Sequence, residues 1–396
     1  MRSHSPSGAT STNNYYASRP STSSSPSSPS SPPLLSKHNL ETAAPRPRQR
    51  TRASCLCWLA LITATVLSTM LVLRTLLAAA AAPCAVSAGC YHGFHSAFSF
   101  DAAASHQPSW MGGLRNDTLL TSLSVPGTHD TMTYAIGSDV LQCQNRNLTV
   151  QLAAGLRYFD IRARVRDDAL HIYHGDGDTG FSYQDVLLEL FAFLAQNPTE
   201  AIVMRLKQEG APLGDHNTLT FEQAFNYAWH NSSITAKQAA QHMYAWDPAA
   251  PLPTLGDLRS KIFVLQNFPA DSNGPANKYG IAWEGEQMVL EDLYIIPDVA
   301  HLKDKWAAIR DALTKAATDK QDNKALYLAH ISASVGVLPI EAAAGPKNRT
   351  VAGMNDETGR WLEAGDQSGR TGVVIFDFPG KRGIDAVLAR NAAYRA

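Results

Sequence analysis

An alternation of strand-like and helix-like segments, beginning at about residue 106, constrains the fold of this chain most. The strand-like segments are rich in branched and aromatic residues and cover 156–165, 169–175, 201–207, 261–268, 325–334 and 372–380. The helix-like segments have apolar residues at helical spacing and cover 182–198, 220–230, 298–317 and 383–395. This order favours an α/β architecture. About 290 residues suit one TIM-type β/α barrel, for which ~250 is typical.

A histidine and a carboxylate lie side by side in the segment 122–134, SLSVPGTHDTMTY. His129 and Asp130 follow a short β-prone run and the Pro126–Gly127 pair, which predicts a turn at the rim of a sheet or barrel. An imidazole in such a place can exchange a proton near neutral pH. A His-Asp pair alone is more often part of a capped turn than of a catalytic dyad, so its interpretation depends on its partners.

Polar residues recur where the predicted strands end. They are His129 and Asp130 after the first strand, Asp160 and Arg162 on the second, His174 ending the third, Lys207 and Glu209 ending the fourth, and Asp377 ending the last. The C-terminal ends of barrel strands share one rim, so these side chains are expected to meet there. Two histidines, an arginine and orienting carboxylates are what metal-free cleavage of a phosphodiester requires.

Four motifs in order carry a resemblance to a known family: SVPGTHDTM, QLAAGLRYFDIRARV, IYHG and VIFDF. From about residue 118 to the C-terminus the chain resembles the bacterial-type phosphatidylinositol-specific phospholipase C catalytic (X) domain. The resemblance implies a distorted β/α barrel that cleaves phosphatidylinositol, or a glycosylated phosphatidylinositol anchor. In that reaction the inositol 2-hydroxyl attacks phosphorus, and diacylglycerol and a cyclic inositol phosphate are released.

The resemblance also implies roles for the rim residues. His129 would be the general base, oriented by Asp377, and His174 would be the general acid, paired with Asp130. Arg162 is similar to the family's phosphate-binding arginine. In the calcium-dependent animal relatives a metal-ligating acid takes that position. Because Arg162 would repel a divalent ion, no metal and no other cofactor is expected.

Recognition of the head group rests on a second set of residues. Lys207 matches a family lysine near the inositol ring, and Asp292 and Tyr294 resemble the aspartate and tyrosine that hold and stack on it. At VLQNF the sequence departs from the family, since Gln266 or Asn267 stands where the bacterial enzymes carry an arginine to the inositol hydroxyls. The resemblance therefore implies the chemistry more strongly than the choice of phosphatidylinositol.

The N-terminal part has a different composition. Residues 1–54 are rich in Ser and Pro, end in a basic cluster and are predicted to be a disordered cytosolic tail. Residues 55–73 carry no charge and are long enough to cross a hydrocarbon core of roughly 30 Å. The preceding arginines predict a signal anchor with a cytosolic N-terminus, although small residues at 86–88 leave a cleaved signal peptide open.

This topology places the rest of the chain in the lumen or outside the cell, as a linker (74–105) and a phosphodiesterase barrel (106–396). All the N-glycosylation motifs follow the apolar segment, with acceptors Asn116, Asn147, Asn231 and Asn348. Of the cysteines after that segment, a Cys90–Cys143 bridge is slightly preferred to Cys84–Cys143. The expected partners are a phospholipid or glycosylphosphatidylinositol substrate and a membrane crossed once, without nucleic acid.

Two other functions compete with this interpretation. A glycerophosphodiester phosphodiesterase shares the barrel, but its arginine after the first-strand histidine and its paired metal-binding acids are absent here. A catalytically silent barrel could bind glycolipid or a protein partner, which the missing inositol arginine favours mildly and the complete set of rim residues disfavours. His301 and His330 have no partner motif and are interpreted as satisfied structural histidines.

Overall fold

The structure, a computed structural model, describes residues 89–270, 274–365 and 368–396. Its strands within these ranges are β1 Cys90–Tyr91, β2 Phe94–His95, β3 Ser124–Thr128, β4 Tyr158–Arg166, β5 Ala169–His174, β6 Gly177–Ser182, β7 Ala201–Gln208, β8 Lys261–Asn267, β9 Gly280–Ala282, β10 Met288–Glu291, β11 Ile295–Ile296, β12 Leu326–His330, β13 Ser334–Val335 and β14 Gly372–Phe376. Its α-helices there are α1 Leu148–Ala154, α2 Tyr183–Gln196, α3 Phe221–Asn226, α4 Ala236–His242, α5 Leu255–Leu258, α6 Leu302–Thr318, α7 Pro339–Ala344, α8 Met354–Glu363 and α9 Lys381–Ala389.

Parallel strands form a nearly closed barrel in the order β10, β12, β14, β3, β4, β7, β8 and β9. Each strand pairs in parallel with the next along this path, while β9 and β10 do not pair with each other. The predicted α/β barrel is therefore confirmed in its coarse form. The sequence missed β9 and β10, because strands of three or four residues carry little periodicity.

Alternation along the strands separates the barrel interior from the helix-facing surface. Val203 packs with Val125, Tyr158 and Phe263 in a core cluster that draws on every strand of the barrel. Neighbouring strand residues face the opposite way and pack against the outer helices. Successive strand side chains point to opposite faces, so the residues two and four positions after an interior residue also face the interior. At the C-terminal end of the barrel these later interior positions hold polar side chains.

The Pro126–Gly127 pair is not a turn, as the sequence predicted, but lies inside β3. A Cβ atom on Gly127 would lie 2.4 Å from Cβ of Tyr158 on the neighbouring strand β4. Glycine is needed here because the two strands approach closely. Proline has no amide hydrogen to donate, but the Pro126 carbonyl accepts a hydrogen bond from the Arg157 amide. Pro126 can therefore take its place within the strand.

The strand that carries His174 is not a barrel strand, contrary to the sequence prediction. Strand β4 continues beyond the barrel, and β5 pairs back on it antiparallel, with Ala163 opposite Ile172 and Arg166 opposite Ala169. Strand β6 extends this ribbon. The antiparallel return brings His174, at the end of β5, back to the barrel rim beside the inward-facing part of β4.

The outer helices cover the barrel with the patterns expected from the sequence. Helix α2 begins at a capping box in which Ser182 and Asp185 satisfy each other's backbone amides. Its buried face includes Leu187, Leu190 and Leu194, at the spacing of one helix face. The predicted helix 220–230 is α3, followed by a π-helical turn at Tyr227–Asn231.

The predicted tail, the predicted transmembrane segment and residues 74–88 of the predicted linker lie outside the described residues. Across 89–270, 274–365 and 368–396, no helix combines the length and apolar character needed to span a bilayer. From Cys90 onward the predicted linker is folded, since β1 pairs with β2. Phe94 and Phe100 are buried in a small cluster with Phe378.

The predicted Cys90–Cys143 bridge is wrong. Cys143 is a free, buried thiol, whereas Cys90 takes part in a disulfide bond. The free thiol also excludes the alternative Cys84–Cys143 pairing. Cys143 lies on the loop between β3 and α1. Its carbonyl accepts a hydrogen bond from the amide of Phe378, just beyond β14, which holds this residue at the C-terminal end of the barrel and away from the N-terminal hairpin.

Candidate active site

Strands β4 and β7 each contribute two interior polar residues at the C-terminal end of the barrel. The register places Asp160 opposite Arg205 and Arg162 opposite Lys207. These residues lie two and four positions beyond Tyr158 and Val203, which belong to the interior core cluster. The same alternation that fills the barrel therefore builds a charged layer above its apolar core.

His129 follows β3 and lies between two carboxylates. Its amide donates to the Phe376 carbonyl, which extends the pairing of β3 with β14. Its Nδ1 lies 2.9 Å from Oδ1 of Asp377, just beyond β14, and its Nε2 lies 3.1 Å from Oδ2 of Asp130. Asp130 has φ +41°, the left-handed conformation that aspartate tolerates better than most residues.

His174 shares Asp130 with His129. Its Nε2 lies 3.2 Å from Oδ2 of Asp130, and its Nδ1 lies 2.8 Å from the Leu141 carbonyl. Since a carbonyl oxygen can only accept, Nδ1 carries a proton. The two imidazole rings are 6.2 Å apart, so one carboxylate oxygen bridges a pair of histidines across the site.

Arg162 is held by several carboxylates. Its Nε is 3.1 Å from Oδ1 of Asp130, its Nη2 is 2.8 Å from Oδ2 of Asp160, and its Nη1 is 3.7 Å from Oε1 of Glu209. Burial works against its charge, but these acids raise the pKa of Arg162 well above its usual value. The guanidinium stays charged, with Nη1 its most loosely held nitrogen.

Burial sets the protonation of the other central groups. It lowers the pKa of His129 well below its usual value, and Arg162 adds to this effect. It raises the pKa of Asp130 to about 6, although Arg162 and His174 oppose the shift. It also raises the pKa of Asp377, to which the Asp130 carboxylate contributes. His129 is thereby kept neutral, as a general base requires.

A cavity of about 540 Å³ opens beside these groups. The predicted residues that line it are His129, Arg162, His174, Lys207, Asp292, Tyr294 and Asp377. Asp130 lies buried behind the two histidines and is only 2% exposed. The structure thus brings together every site residue that the sequence predicted, although their roles remain predictions.

Arg205 is a cavity residue that the sequence reasoning missed. It is 5% exposed, its guanidinium carbon lies 3.7 Å from the centre of the Trp283 ring, and Nε and Nη2 donate to Oδ1 of Asn267. Its Nη1 lies 3.4 Å from Oδ1 of Asp160. The signal was present in AIVMRLK, where Arg205 precedes Lys207 by two residues and so shares its face.

His330 was interpreted as a satisfied structural histidine, and the structure contradicts this. Its ring is 1% exposed, and its Nε2 has no hydrogen-bond partner among the described residues. It lies edge-on to His129 at 5.6 Å and to Trp283 at 6.0 Å. Burial lowers the pKa of His330 to about 4. The His330 imidazole is therefore neutral near pH 7 and packs against His129 without adding charge to the site.

The alternatives at VLQNF are also resolved. Gln266 is a scaffold residue, since its side chain accepts from the Tyr279 amide and donates to the Phe268 carbonyl. Asn267 faces the cavity and holds Arg205. A guanidinium is therefore present in this wall, but β7 supplies it and not β8.

Among the described residues, three groups of side chains could supply ligands to a metal ion. Their potential ligand atoms lie within 4.8 Å of one another in the sets His129/Cys143/Asp377, Asp130/Cys143/His174 and His129/Asp130/Asp160. Arg162 contacts Asp130 and Asp160 directly and opposes a cation in the sets that contain them.

Comparisons with known proteins agree with this fold. The sequence profile of the phosphatidylinositol-specific phospholipase C X domain matches residues 124–267. The chain is 34% identical over 294 residues to a 1-phosphatidylinositol phosphodiesterase of Listeria monocytogenes, covering 71% of this chain and 84% of that protein. The chain belongs to the phosphatidylinositol-specific phospholipase C family.

Two further relatives show how far the similarity extends. The structure of phosphatidylinositol-specific phospholipase C from Listeria monocytogenes superposes with a TM-score of 0.57 at 30% identity, covering 72% of this chain and 99% of that one. A mouse protein, PI-PLC X domain-containing protein 2, is 31% identical over 126 residues, which are 24% of this chain and 37% of that protein. The similarity to the solved bacterial structure thus takes in nearly all of that chain.

Proposed function

We propose that this protein is a phosphoric diester hydrolase of the phosphatidylinositol phospholipase C type. It would cleave the head-group phosphodiester of a phospholipid or glycolipid by metal-independent acid–base catalysis. The observation that carries this proposal is the constellation at the barrel rim, where His129 and His174 flank Asp130 beside Arg162. A silent barrel would have no need to hold two histidines and an arginine around the one carboxylate of Asp130, with Asp377 on the other nitrogen of His129.

His129 would remove a proton from the attacking hydroxyl of the substrate. Its Nδ1 bonds to Asp377, so Nε2 is the nitrogen that receives the proton. As positive charge develops on the imidazole, it offsets the cost of ionising buried Asp377. The pair is thus most strongly held when the base is protonated, which favours the transition state over the free enzyme.

His174 would give a proton to the leaving oxygen, and Arg162 would bind the phosphate. The Leu141 carbonyl fixes Nδ1 of His174, so Nε2 is the nitrogen that can deliver a proton. Asp130 lies within 3.2 Å of this Nε2 and would stabilise the imidazolium. The loosely held Nη1 of Arg162 would meet the phosphate charge, for which a guanidinium fork is suited.

The cavity mouth favours a lipid over a soluble phosphodiester. Val140, Tyr294 and Val335 line it with exposed fractions of 64%, 50% and 71%. Leu293 and Ile295, exposed beside Tyr294, extend the apolar rim, and Ile295 is paired with the strand that ends in Val335. Exposed apolar side chains grouped around a polar cavity suit the surface of a bilayer.

The protein would be a single-pass membrane protein with a cytosolic N-terminus and a luminal or extracellular barrel. The uncharged segment 55–73 and the preceding arginines support this. The four glycosylation acceptors are all exposed in the structure. In sealed microsomes we expect the barrel to resist protease and to lose mass on deglycosylation, whereas a digested, unglycosylated barrel would reverse the orientation.

The decisive experiment is cleavage of radiolabelled phosphatidylinositol by the full-length protein in detergent, with and without a chelator. We expect a cyclic inositol phosphate, unaffected by chelation, and a loss of several orders of magnitude in His129→Ala and His174→Ala. His301→Ala is the matched control, because His301 is exposed and bonds only to Asp298 among the described residues. Loss of turnover on chelation, or equal activity in all three variants, would contradict the mechanism.

A further inference from the structure

The free thiol of Cys143 lies against the catalytic pair of the proposed reaction. Cys143 is 1% exposed, like Asp377, and it lines the cavity together with His129. The potential ligand atoms of these three residues, a sulfur, a carboxylate oxygen and an imidazole nitrogen, lie within 4.8 Å of one another. The proposed cleavage uses His129 and Asp377 but gives the thiol no task.

A second observation points to a missing ligand at the same place. Oδ1 of Asp377 bonds to His129, whereas its buried Oδ2 has no nitrogen or oxygen donor among the described residues; the further hydrogen bond to this carboxylate comes from the Cys143 thiol, a weak donor. A buried carboxylate oxygen without a partner costs free energy. A bound cation would satisfy it, and within the described part of the chain Asp377 forms an ion pair only with His129.

The ligand types select the class of cation. A thiolate, an imidazole and a carboxylate match zinc and related soft divalent ions, whereas calcium and magnesium prefer oxygen alone. Three protein ligands leave a fourth position for water or substrate. Ligand atoms bound 2.0–2.3 Å from one ion lie roughly 3.5 Å from one another. The three potential ligand atoms lie within 4.8 Å of one another, so they need to approach each other by about an ångström.

Neighbouring charge decides between the two candidate sets that contain Cys143. The set with Asp130 and His174 uses a carboxylate that pairs with Arg162 at 3.1 Å. The set with Asp377 uses a carboxylate that forms no ion pair with an arginine or lysine among the described residues. Burial raises the pKa of this carboxyl, and the Arg162 charge, acting from a greater distance, opposes the rise. An ion is therefore better accommodated by His129, Cys143 and Asp377.

We propose that His129, Cys143 and Asp377 form an inhibitory site for zinc or a similar soft divalent cation. On binding, the ion takes the thiolate sulfur and the Cys143 proton is released to solvent. The neutral imidazole binds the ion through one nitrogen and keeps its single proton on the other, so it has no free lone pair and can no longer act as a base. This inference rests on the proposed function for its effect on turnover, but not for the binding itself.

Binding is tested first without any substrate. Cadmium, which forms a thiolate charge-transfer band in the near ultraviolet, is titrated into the full-length protein and into Cys143→Ser. The difference between them isolates this thiol from the other cysteines of the chain. We expect a saturable band in the wild type that Cys143→Ser lacks, and that a Cys55→Ser/Cys57→Ser variant keeps. An equal band in wild type and Cys143→Ser would overturn the site.

Inhibition is tested second, with the zinc concentration that halves each variant's own metal-free rate. Losing one ligand should raise that concentration at least tenfold in Cys143→Ser, and a chelator should restore the wild-type rate. Equal zinc sensitivity of the two proteins would refute the inhibitory role. If no lipid is turned over, the cadmium band still decides the site, so failure of the proposed function is distinguishable from failure of this inference.

Discussion

Replacing Asp130 by asparagine should weaken catalysis and stabilise the fold. Asp130 is 2% exposed, and burial raises its pKa from 3.8 to about 6 even though Arg162 and His174 favour its charge. The ionised carboxylate is therefore held at a net cost. The difference between a pKa of 3.8 and one of about 6, at ~1.4 kcal/mol per pH unit, corresponds to about 3 kcal/mol of unfolding free energy.

The sign of the effect depends on pH. A carboxyl whose pKa is higher in the folded than in the unfolded chain contributes full stability below pH ~4, and this contribution is lost as pH rises through 6. Asparagine resembles the protonated acid and does not titrate. Asp130→Asn should thus be more stable than wild type by about 3 kcal/mol at pH 7.5, and the difference should disappear near pH 4.

Urea unfolding followed by tryptophan fluorescence at both pH values measures this difference. Asp176→Asn is the matched control, because its fully exposed side chain pairs with Arg164 at the surface and should change stability by less than about 0.5 kcal/mol. If Asp130→Asn were equally stable or less stable at pH 7.5, the ion pair with Arg162 would already outweigh the cost of burial. The reasoning about Asp130 would then be refuted.

Three further predictions follow from the same structure. Arg205→Met should lower kcat/KM for phosphatidylinositol about 10- to 100-fold, mainly through KM, because it removes charge-assisted hydrogen bonds worth ~1.5–3 kcal/mol. The acid limb of the kcat/KM–pH profile should centre near pH 6, because Asp130 becomes protonated below that pH and can no longer stabilise the His174 imidazolium. Val335 has φ +77° and is 71% exposed, so Val335→Gly should raise stability by about 1 kcal/mol while weakening binding to sedimented lipid vesicles.

Each of these predictions has its own control and its own contrary outcome. The control for Arg205→Met is Arg164→Met, which also removes an arginine from a strand but lies outside the cavity lining and should leave KM unchanged. An equal rise of KM in both variants would indicate a nonspecific charge effect. An acid limb that persists in Asp130→Asn would assign it to another group. The control for Val335→Gly is Ile234→Ala, which removes an apolar side chain that is 52% exposed but lies away from the cavity mouth. An equal loss of vesicle binding in both variants would contradict the proposal that the apolar rim of the mouth contacts lipid.

Much of the barrel and of its site followed from the sequence. Interior positions of a strand recur every second residue, so Asp160 and Arg162 could be placed on one face before any fold was known. The order of motifs around His129, His174 and Asp377 indicated which strand ends meet, since parallel strands share a rim.

Contacts between strands were decided only by the tertiary structure. Pro126–Gly127 predicts a turn locally, but a neighbouring strand at Tyr158 needs glycine inside β3. Likewise, nothing local shows that β5 returns along β4 and carries His174 to the rim. Local patterns report on a residue's own backbone, whereas these features depend on what packs against it.

The sequence by itself determined the family, the barrel and the chemical types gathered at its rim. Tertiary structure alone decided that Arg205 stacks on Trp283, that His330 lies unsatisfied beneath His129, and that Cys143 stays a free thiol. The physical reason is that periodicity fixes which face a side chain occupies, but pairing, burial and pKa depend on charges and atoms that are distant in sequence and meet only in the folded chain.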